Sequence, residues 1–166
     1  MPKQVLIAYY SWSGNTRRLA QTIHKIIGGK LFEVEPATPY PSSYNATVEQ
    51  ARREIQSGYR PQLKAKLASI EPYSVVFIGS PNWWGTIAPP IAAFLSEYDL
   101  SGKVVIPFFT HGGGGMQNML TDLKKLCLNS RVLEPFLVQG SRVGAAEKSV
   151  SEWLHRIKVS ELVSSP

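Results

Sequence analysis

Apolar residues fall along this chain in two rhythms. Short, nearly unbroken apolar runs, such as residues 3–9 and Val75-Val76-Phe77-Ile78-Gly79, alternate with longer stretches in which apolar residues recur every three or four positions. Unbroken runs of this length suit strands covered on both faces, as in a parallel sheet, and the wider spacing suits helices with one buried face.

After the first strand, Leu19, Ile23, Ile26 and Ile27 keep helical spacing over 15–27, and Gly28-Gly29 stop that helix before a strand at 30–35. The strand mixes Lys30, Glu33 and Glu35 with apolar residues, which suits a sheet edge. Prolines and serines make 36–43 a loop, with Tyr40 and Tyr44 flanking the corner, and 46–57 reads as a charged helix ended by Gly58. A basic segment, 61–70, precedes Pro72 and the third strand at 75–79.

The helix at 87–98 carries Ile91, Phe94 and Leu95 on one face and tolerates Pro89-Pro90 because they fall in its first turn. A fourth strand, 103–109, contains Pro107, which cannot donate to a ladder, so a bulge or the strand's end is expected there. Gly112 to Gly115 then turn into a helix at 116–128, a fifth strand spans 132–138 and a last helix spans 147–158. Five alternations of strand and helix predict an α/β fold: three layers, doubly wound around a five-stranded parallel sheet. Residues 1–159 form the domain and 160–166 a short, frayed C-terminal tail.

A chain of 166 residues, 43% hydrophobic, fits one domain with a real core. No apolar run approaches the roughly 18 residues of a membrane span, and Met1-Pro2-Lys3-Gln4 leads straight into a strand without the regions of a signal peptide. A cytoplasmic protein without membrane association is expected. Cys127, the one cysteine, excludes an internal disulfide, a Cys-x-x-Cys pair and a cysteine metal set, and it reads as buried packing. Any redox chemistry must therefore come from a bound organic cofactor.

The net charge is +6, and the excess sits in the first half, where 1–83 hold ten Lys and Arg against five Asp and Glu. The densest part runs from Arg52-Arg53 through Arg60, Lys64 and Lys66. A basic face there can attract an acidic protein or an anionic substrate such as NADPH, or be a solvated helix face. Nucleic acid is not expected, because the cations are not interleaved with aromatics and no recognition motif appears.

The most informative chemistry is Tyr10-Ser11-Trp12-Ser13-Gly14-Asn15-Thr16, between the first strand and the first helix. A turn there leaves the first helical amides unpartnered at a positive dipole end, where a phosphate can sit without a lysine. Ser11, Ser13 and Thr16 add hydroxyls, Gly14 permits the turn, and Asn15 can cap the helix or donate an amide. No lysine follows the glycine as in the nucleotide P-loop, and the turn lacks the three glycines of the dinucleotide motif. Gly-x-Ser-x-Gly is also absent, so a hydrolase elbow is a poor fit.

Ser11-Trp12-Ser13-Gly14-Asn15-Thr16 after a first strand resembles the phosphate-binding loop of the flavodoxin family, where it grips the phosphate of FMN. The similarity extends through Tyr40-Pro41-Ser42-Ser43-Tyr44, Gly79-Ser80-Pro81-Asn82-Trp83-Trp84 and Phe108-Phe109-Thr110-His111-Gly112-Gly113, which look like a bacterial flavodoxin-like subgroup of short, single-domain proteins. It implies noncovalent FMN and the strand order 2-1-3-4-5 known for flavodoxins, with the ligand at the sheet's switch point.

In that order the turns after Tyr10, Gly79 and Phe109 meet at one end of the sheet. The second turn, Pro81-Asn82-Trp83-Trp84-Gly85, offers two indoles to cover an isoalloxazine ring, without choosing between them. By resemblance, its backbone adjusts beside the reduced flavin, with Gly85 supplying freedom. The third, Thr110-His111-Gly112-Gly113 and the two glycines after it, brings bare amides toward a planar ligand's pyrimidine edge. His111, at a strand's carboxyl end, is a candidate proton donor or incidental, while His24 and His155 have no partners pointing to a metal or triad.

The implied function is an FMN-binding redox protein in electron transfer with a redox partner protein. An NAD(P)H-dependent quinone reductase and a flavin-free binding module are the alternatives. Familiar electron-carrier flavodoxins are strongly acidic, whereas this chain is basic.

Overall fold

The computed structural model describes residues 4–164. In chain order its first half comprises β1 (Gln4–Tyr9), α1 (Asn15–Ile27), β2 (Lys30–Glu33), α2 (Tyr44–Ser57), β3 (Tyr73–Trp83) and β4 (Thr86–Ile87). Then follow α3 (Pro89–Glu97), β5 (Val104–His111), α4 (Met119–Lys125), β6 (Arg131–Val132), β7 (Phe136–Gln139), a 3-10 turn at Gly140–Ala145, α5 (Glu147–Arg156) and α6 (Val159–Ser164).

The sheet runs β2-β1-β3-β5-β6, with β7 also on β5 beyond β6, so β6 and β7 are two halves of one outer position. These pairings are parallel, and the order is the flavodoxin-like 2-1-3-4-5. Among the described residues β2 pairs only with β1, as its mixed composition predicts for an edge.

Burial on both faces follows from alternation along each strand. Leu6, Ala8 and Tyr10 join Val76, Ile78, Ile91, Phe94, Met119 and Leu123 on the α3 and α4 side. Val5, Ile7 and Tyr9 join Leu19, Ile23, Phe77, Phe108, Val150 and Trp153 on the α1 and α5 side. Gly79 lies opposite Phe108 in the β3–β5 pair, and a Cβ there would stand 2.2 Å from the Phe108 ring. Cys127 is buried, and burial pushes its thiol up to about 11.

Several expectations need correction. Pro107 makes neither bulge nor strand end, since the β3–β5 register runs unbroken from Val75↔Val104 to Pro81↔Thr110. Lys103 and Val105 accept from Arg131 and Leu133 on the outer side, so by alternation Pro107 turns its nitrogen outward too. There the ladder is already interrupted between Val132 and Phe136, and no donor is missed. The same interruption, at Glu134-Pro135, replaces the continuous fifth strand.

α2 begins two residues early because Ser43 Oγ accepts from the Ala46 amide. α4 is shorter than 116–128, since Gln117 takes a left-handed φ of 48° ahead of it. Ile26 is exposed rather than packed. The expected tail is helical in α6, where Val159 is buried and Leu162 and Val163 pack against the α5 layer. Lys3 of the predicted first strand, and Ser165 and Pro166 of the predicted tail, lie outside the described residues. Among the described residues no helix is long and apolar enough to cross a membrane.

Candidate functional site

Three neighbouring strands end together at one edge of the sheet. Tyr9 stands beside Gly79, and Pro81 beside Thr110, so the segments that follow β1, β3 and β5 converge. Thr16 Oγ1 and Thr110 Oγ1 lie 2.8 Å apart and buried, joining the first segment to the third.

Ser11 Oγ accepts from the Gly14 amide at 3.1 Å, and Gly14, at φ 100°, turns the chain into α1. Gly14 rather than Asn15 is the N-cap; Asn15 is the first helical residue and makes no side-chain cap bond. The first main-chain bond of the helix runs from the Arg18 amide to Gly14 O, at 3.0 Å. The amides of Asn15, Thr16 and Arg17 precede it and point from the positive end of a 13-residue helix. This donor set fits a phosphate. The Arg17 guanidinium donates to both oxygens of Glu33, at 2.8 and 2.7 Å.

The second segment is a hairpin that the sequence reading did not anticipate. Trp83 pairs with Thr86 across the two-residue turn Trp84-Gly85, in which both residues have positive φ, 56° and 81°. Such turns favour Asn-Gly, and a tryptophan in the left-handed region is strained, an outlier of the kind that clusters at ligand sites. Trp83 packs edge-on against Tyr10 and Tyr40, with ring centroids 5.4 and 4.9 Å away. Trp84 is 54% exposed and sends its indole N–H to Val48 O of α2, at 2.9 Å. Trp83 and Trp84 both line the cleft, and Trp84 is the more exposed.

Asn82 braces this hairpin. Its Oδ1 accepts from the Gly85 amide at 2.8 Å, and its Nδ2 donates to Gly115 O at 2.7 Å and Gln117 Oε1 at 2.9 Å. The Asn118 amide adds a bond to Gly85 O. The second and third segments are thus tied together. Within the third, His111 Nδ1 accepts from the amides of Gly113 and Gly115, at 3.0 and 3.2 Å.

These segments enclose a cleft of about 690 Å³. Trp12, Ser13, Asn15, Pro81, Asn82, Trp83, Trp84, Gly85, Thr110, His111 and Gly112 line it, whereas Ser11, Gly14, Thr16 and Gly113 do not. The sequence reading missed the far wall: Tyr44, Thr47, Val48 and Ala51, spaced three and four apart on one face of α2. Tyr44, flagged only as flanking a corner, lies 6.2 Å from the Trp12 ring. Gln117 and Gly140 complete the lining, and a Cβ on Gly140 would stand 2.5 Å from Asn15 Nδ2. All these lining residues are formally uncharged apart from the titratable His111.

The tyrosines beneath Trp83 are neutral. Burial, chiefly, raises the hydroxyls of Tyr10 and Tyr40 well above the usual tyrosine range, and Tyr40 donates to Glu54 Oε1 at 2.6 Å.

A family model described as Flavodoxin matches residues 4–157. The chain belongs to the flavodoxin family. Among solved structures, this flavodoxin-family chain is similar to a candidate flavoprotein from Bacteroides eggerthii, with 34% identity, a TM-score of 0.82, and 93% of this chain and 98% of that one covered. A flavoprotein from Lactobacillus acidophilus, solved in complex with FMN, matches at 28% identity and a TM-score of 0.70, covering 86% of this chain and 97% of that one. An NADH:FMN oxidoreductase in its apo form shares the fold at 14% identity, with a TM-score of 0.60 and 98% and 91% covered. Among curated proteins none matches the chain at a significant level.

Proposed function

We propose that this chain binds FMN noncovalently and serves as a cytoplasmic redox protein in electron transfer. The observation that carries the proposal is the convergence of an open set of helix amides, an exposed indole and a glycine turn on one cleft. The FMN held by the Lactobacillus acidophilus relative supports it.

The amides of Asn15 to Arg17 and the Ser13 hydroxyl would hold the phosphate, using neutral donors and the helix dipole. Trp84 would shield the ring from water, and Gly112 and Gly85 would let the backbone approach it. Bound there, FMN supplies one- and two-electron chemistry. The neutral donors around it set how much negative charge the site tolerates.

The net charge of +6 favours an acidic redox partner through long-range attraction. Within the basic segment, however, Arg52 pairs with Glu49, Lys64 with Glu35 and Lys66 with Glu97, so much of that charge is answered locally.

A second reading, an FMN-dependent NAD(P)H quinone reductase, draws support from the fourth wall. Tyr44, Val48 and Ala51 of α2 face the three loops across the cleft, and an uncharged, partly aromatic wall suits a planar acceptor such as a quinone.

An absorbance spectrum of protein purified without added flavin, followed by anaerobic NADPH, separates these readings. Flavin bands unbleached by NADPH alone support the carrier, and bleaching supports the reductase. A colourless protein that takes up no FMN overturns both in favour of a flavin-free binding module.

A further inference from the structure

We infer that His111 is a positioning residue: through Nδ1 it fixes the shape of the glycine turn, and it is not a proton donor to a substrate from that nitrogen. The inference deepens the FMN reading and rests on it only for the affinity arm of its test.

A turn of consecutive glycines has little shape of its own, since each populates both signs of φ. Here Gly113 and Gly115 have positive φ, 138° and 79°, and nothing within 4 Å would meet a Cβ on Gly112 or Gly115. The turn is instead ordered by side chains. His111 Nδ1 draws in the amides of Gly113 and Gly115 from one side, and Asn82 Nδ2 holds Gly115 O from the other. One residue of β5 and one of β3 thus clamp the same turn. Gly112 is left as the glycine of the turn that lines the cleft.

A nitrogen that accepts two amides presents its lone pair and carries no proton, so the ring hydrogen lies on Nε2. The amides of Gly113 and Gly115, expected from sequence to face a ligand, are turned onto the imidazole instead.

The test compares His111→Leu, which removes the acceptor, with His111→Asn, whose Oδ1 can stand where Nδ1 does. In FMN-free protein, hydrogen exchange at the Gly113 and Gly115 amides should speed up on the order of tenfold in the Leu variant and return toward wild type in the Asn variant. Affinities for FMN and for riboflavin should fall together in the Leu variant, by a similar factor, and recover with the Asn variant.

Unchanged amide exchange in His111→Leu would overturn the inference, as would an Asn variant that fails to restore it. Restored exchange without restored flavin affinity would also overturn it, making Nε2 a direct ligand. Because exchange is read without FMN, failure of the FMN reading leaves that arm standing.

Discussion

The hydroxyls of Thr16, at the start of α1, and Thr110, near the end of β5, meet at 2.8 Å in the protein interior. The segments that follow β1 and β5 are therefore joined directly. Thr16→Val keeps the shape but leaves the Thr110 hydroxyl unpartnered, and should cost about 1–3 kcal/mol in urea denaturation. Thr16→Ser, which keeps the hydroxyl, should cost less. Equal losses in the two variants would show that the hydroxyl pair contributes nothing.

Trp84 holds its left-handed φ of 56° in a turn that suits asparagine better. Trp84→Asn should leave the melting temperature of the flavin-free protein unchanged or higher. If the indole covers the ring and not the phosphate, as proposed, the same variant should weaken FMN and riboflavin alike, by roughly tenfold. Undiminished affinity would remove Trp84 from the site.

Two glycines give opposite signatures. A Cβ at Gly79 would strike the buried Phe108 ring at 2.2 Å, so Gly79→Ala should destabilise the fold by about 1–3 kcal/mol. At Gly140 the obstacle is the tip of the Asn15 side chain, at 2.5 Å, which can swing away. Gly140→Ala should therefore spare stability and weaken FMN binding by displacing Asn15. Denaturation and flavin titration on both variants check the contrast.

The Arg17 guanidinium, helped by Tyr9 and opposed by desolvation, holds the Glu33 carboxyl below the usual carboxylate range. A folded value lower than the unfolded one means that the stabilisation is present above the ordinary glutamate value of about 4.3 and disappears as pH falls through the folded value. The stability gap between wild type and Glu33→Gln should be widest near neutral pH and close below pH about 4. A gap constant from pH 7 to 3 would contradict the pair's role.

Much of this was legible in the chain itself. Unbroken apolar runs mark β1 and β3 as doubly covered strands, and the hydroxyl-rich turn locates the helix amides, because both depend on local composition. The α2 wall was not legible: Thr47, Val48 and Ala51 sit in a helix whose charged residues dominate its pattern, and only the tertiary placement brings them opposite Trp84. The hairpin at Trp84-Gly85 was hidden because tryptophan is an unfavourable residue for that backbone. Pro107 misled for a related reason: its effect depends on whether the neighbouring strand needs a donor at that register, and the break between β6 and β7 lies outside the strand that carries it.

The measurement that tests the central claim most directly is a titration of flavin-free protein with FMN and, separately, with riboflavin, followed by flavin fluorescence. If the amides of Asn15 to Arg17 hold the phosphate, FMN binds more tightly by on the order of a hundredfold. Equal affinities, or no binding of either flavin, would contradict the site.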